Sequence, residues 1–198
     1  LDAAPGAFDA WAEQVLAAHT RFQVLCALRQ GPWGVAGLNQ RIAHWLHQAG
    51  CLDTPTGWYP GRPVLVTRNE HALGLMNGDI GITLEVPHPD PAVGGWTRRV
   101  AFPSADGQPG VRWVLPSRLN AVETVFALTV HKSQGSEFAH AALVLPEHPS
   151  PVLTRELVYT GITRGKNCLS LVHSGPASVW QAAVERRTLR AGGLAEGL

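Results

Sequence analysis

From Phe126 to Val130 the chain reads Phe-Ala-Leu-Thr-Val, without alternation of apolar and polar positions. A strand buried on one face alternates, whereas one lacking alternation is covered on both faces, as in a parallel sheet with helices on either side. This run breaks into His131-Lys-Ser-Gln-Gly-Ser-Glu137 before apolar residues return at Phe138. An imidazole, an ammonium, two hydroxyls, an amide and a carboxylate therefore follow a buried strand, with Gly135 where the chain must turn. Ligands of open α/β sheets bind outside the carboxyl ends of the strands, so the cluster marks the expected site. A polar surface loop in which Ser133 caps a helix fits this stretch equally well when it is taken alone.

A second stretch narrows the choice. Arg155-Glu-Leu-Val-Tyr-Thr-Gly-Ile-Thr-Arg-Gly-Lys166 leads into the apolar strand Cys168-Leu-Ser-Leu-Val172. Thr129-Val-His-Lys-Ser-Gln-Gly-Ser-Glu-Phe138 resembles the fifth motif, and Leu157-Val-Tyr-Thr-Gly-Ile-Thr-Arg164 the sixth, of superfamily-one DNA helicases. Gly-Pro-Trp-Gly-Val-Ala-Gly-Leu-Asn at 31–39 and Asn-Gly-Asp-Ile-Gly at 77–81 resemble the RecD branch, the alpha-subunit type of bacterial exodeoxyribonuclease V. The resemblance runs from about Phe22 to about Leu194, and its motifs occur in order.

Phe8, Trp11, Val15 and Leu16 predict an amphipathic packing helix in the first 20 residues. Phe22 to Ala27 is a short buried strand, and Leu38, Ile42, Trp45 and Leu46 set a helix between Val35 and Ala49 that Gly50 stops. Arg62 to Thr67 is again strand-like. Asn77-Gly78 is a hairpin signal. After it the pattern turns to short strands at 80–86, 96–102 and 111–115, separated by the Pro/Gly-rich 87–95 and by Asp106-Gly107. Thr154 is placed to cap a helix carrying Leu157, Val158 and Ile162, and a closing helix is expected over 176–189 before a Gly-rich tail.

The resemblance implies an α/β fold: a RecA-like parallel sheet with flanking helices, the second motor domain, formed by residues 1–76 and 120–198. A small antiparallel Src-homology-type β-barrel is inserted over 77–119. In relatives this barrel helps hold or guide single-stranded DNA. Arg98, Arg99, Arg112 and Arg118 with Trp96 and Trp113 fit a basic, aromatic DNA-facing surface. They fit ordinary strand exteriors around two core tryptophans as well.

Phosphoryl transfer asks a protein mainly for positioned positive charge. By resemblance, Arg164 is the arginine finger of the sixth motif, a role its guanidinium fork suits better than an ammonium would. Capping the C-terminus of its own helix is the commoner use of such an arginine. Arg29 falls in the fourth-motif region, whose basic residue approaches the nucleotide phosphates, and a plain surface arginine fits it equally. Glu137 matches the carboxylate that couples toward the nucleotide sugar, with Gln134 and Gly135 between the nucleotide and DNA sites. Thr129, His131, Lys132, Ser133 and Ser136 lie where the family meets the DNA backbone, and hydroxyls with a lysine suit sequence-blind phosphate contacts.

No Gly-x-x-x-x-Gly-Lys-Ser/Thr phosphate loop occurs, and no acidic pair follows an apolar strand in the manner that holds Mg²⁺. The resemblance therefore implies the C-terminal half of an ATP-dependent 5′ to 3′ DNA helicase acting in double-strand-break repair and recombination. ATP with Mg²⁺ would bind only at a cleft closed by an N-terminal motor domain, and this chain alone would not turn ATP over. Implied partners are single-stranded DNA, that N-terminal domain, and RecB and RecC type subunits, which would supply any nuclease activity. A rival reading is a free-standing module that binds nucleic acid or a subunit without catalysis. A hydrolase built on His131 with Ser133 or Ser136 lacks the Gly-x-Ser-x-Gly elbow.

Composition limits the partners less than the motifs do. With 16 Lys+Arg against 15 Asp+Glu, net charge is +1, so contact with DNA must be local. Only Lys132 and Lys166 among the basic residues are lysines, which gives those two positions added weight; a coding bias toward arginine explains the ratio as well. Cys26, Cys51 and Cys168 form no C-x-x-C pair, which argues against a zinc site or disulfide framework and for a reducing cytoplasm. Cys26 and Cys168 sit in apolar runs and are expected in the core. No apolar run is long enough to span a bilayer. No signal peptide is visible, and an N-terminal Leu1 suggests a start inside a longer protein.

Overall fold

The computed structural model describes residues 6–90, 92–104 and 110–187, which form two sheets. The first contains β1 (Phe22–Cys26), β7 (Ala127–Thr129), β8 (Phe138–Leu145) and β9 (Gly165–His173) in the order β7-β1-β8-β9. Every neighbouring pair in it is parallel. Leu25 lies level with Leu128 on one side and Leu143 on the other, and Val24 with Ala127 and Ala142. Side chains alternate between faces along a strand. Leu25, Leu128, Leu143 and Leu145 therefore pack with Leu157 and Val158 of α3 (Arg155–Ile162) and Ala183 of α4 (Ala177–Glu185). Cys26, Ala127 and Val144 pack with Leu38 and Ile42 of α2 (Val35–Gln48) on the opposite face.

Cover on both faces explains the unbroken apolar run at 126–130. Leu25, Leu143 and Leu145 are wholly buried, each contributing about 1.5–3 kcal/mol by burial. Thr154 caps α3 as its position predicts, its hydroxyl accepting from the amide of Leu157 at 3.3 Å. Gly161 lets that helix close onto the sheet, since a Cβ there would stand 3.1 Å from Leu143.

The second sheet is antiparallel, in the order β5-β4-β3-β2-β6, built from β2 (Pro63–Val66), β3 (Ile80–Pro87), β4 (Trp96–Pro103), β5 (Val111–Val114) and β6 (Val122–Thr124). Two of its strands, β2 and β6, lie outside the 77–119 segment. Pro63-Val-Leu-Val66 has the same unbroken apolar character as a buried parallel strand, which is why the pattern placed it in the larger sheet. Val64 and Val66 pack with Phe102 and Val114 in the antiparallel core, while Leu65 between them packs with Val125 and Leu128 in the core of the parallel sheet. One residue of β2 thus ties the two sheets together.

The antiparallel sheet is open, not the closed barrel expected. Its edges are β5 and β6, and no ladder joins them among the described residues. One face is covered by α1 (Ala7–His19), whose buried Ala12 packs against Ile82, Leu84 and Val86; Leu75, Leu119 and Trp58 close the other. With both faces covered, the sheet has no need to curl onto itself. Asn77-Gly78 is not a two-residue hairpin: the chain between β2 and β3 runs from 67 to 79 and includes a 3₁₀ turn, His71–Leu73. Gly78, at φ 103°, donates to the carbonyl of Val66 where the ladder resumes. The Asp106-Gly107 turn, the last residues of the expected closing helix and the Gly-rich tail lie outside the described residues.

Trp113 is half-buried beneath α1, its indole N–H donating to Asp9 Oδ1 at 2.7 Å, whereas Trp96 is 54 % exposed and meets the Phe8 ring in a T-shaped contact. Arg112 turns onto the carbonyls of Leu73 and Gly74, and Arg98 onto that of Trp58. The sheet's arginines and tryptophans therefore do not line up as one surface. Cys26 is buried, and burial pushes its thiol up to about 12. Cys168, expected in the core, is exposed because β9 is the edge strand.

Candidate functional site

The segment from Val130 to Glu137 leaves the carboxyl end of β7 and crosses β1 to reach the amino end of β8. Eight residues are too few for a crossover helix, so the chain folds as consecutive turns. Ser133 is the pivot of these turns. Its amide donates to the carbonyl of Thr129 at 3.2 Å and its hydroxyl to that of Val130 at 2.7 Å, while the Thr129 hydroxyl accepts from the amide of Lys132. Gly135 completes the reversal at φ 85°, a conformation that costs any residue with a Cβ. The polar cluster therefore spans the sheet and presents chemistry at both of its ends.

At the amino ends of β8 and β9 stand Glu137, Arg164 and Lys166. Arg164 follows α3 and folds back on it: Nε donates to the carbonyl of Thr160 at 3.1 Å and Nη2 to the Thr163 hydroxyl at 3.2 Å. Its Nη1 reaches the carbonyl of Ser136 at 3.0 Å, and its own carbonyl accepts from the amide of Phe138. A guanidinium has five N–H groups, so donors remain for an anion. Lys166 Nζ lies 2.9 Å from Glu137 Oε2 and holds the carboxyl below the ordinary glutamate range, with a smaller contribution from Arg164. Two cations around one carboxylate leave this rim positive.

At the carboxyl ends of β1 and β7, a cavity of about 540 Å³ opens between α2 and β6. Arg29, Tyr59, Glu123, Thr129 and Lys132 line it. The tight loop before α2 sets Arg29 at its lip: the amide of Ala36 donates to the Arg29 carbonyl, and a Cβ on Gly37 would stand 2.4 Å from the carbonyl of Gly31. Lys132 pairs with Glu123 of β6 at 3.0 Å, which ties the motif loop to the antiparallel sheet. Asn39 of α2 is a buried part of the cavity wall, giving its amide to the carbonyl of Ala127 and accepting the amide of the same residue.

Tyr59 is 2 % exposed and lines the cavity. Burial raises its phenol above the usual range, opposed in part by the nearby charge of Arg62. Arg62 also fixes the loop that carries Tyr59. Its guanidinium lies 4.5 Å from the ring centre of Trp58 and donates to the carbonyl of Gly57 and the hydroxyl of Thr124.

Thr129 and Lys132 come together at the cavity, and Arg164 and Glu137 meet at the other end. Gln134 and Gly135 lie exposed on the chain between, and His131 is exposed beside Lys132. Three predicted site residues stand apart from the rest. Ser133 is wholly buried and its hydroxyl is committed to the turn. Ser136 stands with Arg164, not with Thr129. Arg29 follows the carboxyl end of β1, so strand polarity puts it at the far end of the sheet from Arg164. Tyr59 and Glu123 were missed, since a Pro/Gly-rich loop and a short edge strand carry no motif signal; Asn39 closes the 31–39 motif but was given no role of its own.

A model of the UvrD-like helicase C-terminal domain matches residues 124–172. The chain is 41% identical over 179 residues to the RecBCD enzyme subunit RecD of Mycobacterium tuberculosis, covering 90% of this chain and 29% of that protein. It is 37% identical over 186 residues to the RecBCD enzyme subunit RecD of Haemophilus influenzae, covering 93% of this chain and 26% of that protein. Against the ATP-dependent RecD2 DNA helicase of Deinococcus radiodurans it is 32% identical over 167 residues, covering 83% and 21% respectively. These matches support the resemblance read from the motifs. The chain spans less than a third of the length of these relatives.

Proposed function

From a similarity to RecD that holds over nine-tenths of the chain, we propose that this is the second motor half of an ATP-dependent 5′ to 3′ DNA helicase. The observation that carries the reading is the two-ended loop 130–137. One end shares a cavity with Arg29 and Lys132, and the other holds Arg164 and Glu137. A change at one rim therefore has a direct covalent path to the other.

In this reading Arg164 is the finger that approaches the γ-phosphate when a motor domain bearing a phosphate loop closes on the positive rim. Its present contacts, all to carbonyl or hydroxyl oxygens, are ones that phosphate oxygens can replace. Glu137 faces the nucleotide sugar, and Gln134 and Gly135 carry the response along the loop. Thr129, His131 and Lys132 grip the backbone of single-stranded DNA. Among the described residues no cluster of three His, Cys, Asp or Glu side chains is arranged to hold a metal, and the Arg164 rim is cationic. Mg²⁺ accompanying the nucleotide would thus be held by the other motor domain while these residues take phosphate oxygens. The antiparallel sheet, extending from β2 to β6, would take the place of the inserted Src-homology-type unit. RecB and RecC type subunits are the proposed protein partners in double-strand-break repair.

The test is steady-state ATP hydrolysis, with and without single-stranded DNA, by this chain and by a protein in which it follows its N-terminal motor domain. No turnover by the chain, and DNA-stimulated turnover by the longer protein that Arg164→Ala lowers about 10³-fold or more, is the expected result. Unchanged turnover in a folded Arg164→Ala protein would remove the finger assignment and favour a binding module.

A further inference from the structure

Resting on the reading that the carboxyl-end cavity meets single-stranded DNA, we propose that the DNA path continues from this cavity across α2, lodging one nucleobase against Tyr59 and stacking a neighbouring base on Trp45. A second concavity, of about 360 Å³, is lined by Arg41, His44 and Trp45 and shares Gln40 and Pro55 with the first. The two therefore lie side by side, bordered in common by Gln40 and Pro55. Ala36, Gln40 and Ala43, at helical spacing, place the same face of α2 under the first, and their small or neutral side chains leave room for a strand to pass.

The far end is a preformed platform. The Arg41 guanidinium lies 4.6 Å from the ring centre of Trp33 and 5.1 Å from that of Trp45, and Nη1 donates to the carbonyl of Pro32 at 3.0 Å. Trp45 is thus held by a cation on one side while 53 % of the residue stays exposed. An aromatic face beside fixed positive charge is the arrangement that stacks bases irrespective of sequence. At the near end, Tyr59 lines the cavity with a phenol whose hydroxyl can exchange water for a base edge. Arg29, Lys132 and Arg41 mark the path with positive charge, and Glu123 is its one lining carboxylate, already paired with Lys132. Charge complementarity and the aromatic platform of Trp45 favour a polyanion that carries bases over a protein surface.

The experiment is fluorescence anisotropy of labelled oligothymidylate, about 10 nucleotides long, titrated with the 198-residue chain and its variants across a salt series. Each variant's fold is checked by circular dichroism. Trp45→Ala is expected to weaken binding about 5-fold or more, with Trp45→Phe restoring most of it. Tyr59→Phe, which keeps the buried ring, is expected to weaken it about 2- to 10-fold. If Lys132→Ala lowers affinity and salt dependence while Trp45→Ala and Tyr59→Phe bind as the parent does, the DNA reading stands and this path is overturned. No binding by the chain at low salt overturns both. Unchanged DNA binding by Trp45→Ala together with lost association with a RecB or RecC type subunit assigns the face to protein and also overturns the path.

Discussion

Arg164 Nη1 donates to the main-chain oxygen of Ser136 across 3.0 Å, which joins the end of α3 to the loop that crosses the sheet. The contact makes the guanidinium's position depend on the loop's conformation. Arg164→Lys keeps the charge but cannot reach the Thr160, Ser136 and Thr163 oxygens together. In a two-domain protein, kcat for DNA-stimulated ATP hydrolysis should therefore fall severely in both Arg164→Ala and Arg164→Lys, the alanine variant by about 10³-fold or more. Single-stranded DNA affinity without nucleotide should change little. An Arg164→Lys enzyme with parental kcat would show that charge alone suffices.

In the proposed DNA grip, Glu123 competes with DNA for Lys132. The two side chains are partly exposed and 3.0 Å apart, and an exposed pair of this kind contributes only about 0–1 kcal/mol. Glu123→Gln removes the competitor and one negative charge from the cavity wall, so affinity for single-stranded DNA should rise severalfold at low salt. Lys132→Ala should lower affinity and reduce the slope of log K against log salt by about 0.7. Anisotropy titrations across a salt series read both effects. Equal affinities for the parent and Glu123→Gln would place Lys132 off the DNA path.

Glu137 should titrate below the ordinary glutamate value of 4.5, because Lys166 donates to its carboxylate and adds its charge, with Arg164 contributing less. The folded-state value is depressed relative to the unfolded chain. The interaction is thus present above the unfolded pKa and is lost as pH falls through the folded one. Carbon-detected NMR of the Glu137 carboxyl should give a midpoint below 4.5, and Lys166→Met should move it up toward 4.5. A midpoint indifferent to Lys166 would mean that the pair does not persist in solution.

Much of the fold was legible because periodicity reports burial. The run 126–130, the stripe Leu38, Ile42, Trp45 and Thr154 before Leu157 each led to the element that formed. Membership of a sheet was not legible where two cores meet. Pro63–Val66 reads as buried on both faces, and it is, but Leu65 faces one core while Val64 and Val66 face the other. The motif residues Thr129, Lys132, Glu137 and Arg164 lie along the 129–137 segment and at the end of the neighbouring helix. The motifs could not tell Ser133 from Ser136, because which hydroxyl turns inward is decided by the 130–135 turns and not by composition. Tyr59 and Glu123 escaped notice because only the folding of a distant loop and an edge strand around β7 brings them to the cavity.

Gly81 and Phe102 set the last expectation. A Cβ built on Gly81 would stand 2.6 Å from Cε1 of Phe102, whose ring is wholly buried in the core of the antiparallel sheet. The missing side chain on β3 is the space that the ring on β4 occupies. Gly81→Val gains β-propensity but cannot be placed without moving that ring, and overpacking of this kind costs about 1–3 kcal/mol. Denaturant unfolding should show this loss, with a lower midpoint and an unchanged slope. Phe102→Leu alone should also destabilise, by removing buried ring volume. In the double variant Gly81→Val would cost less than it does in the parent, because the shorter side chain yields the space. Strictly additive losses would mean that the two residues do not share that space.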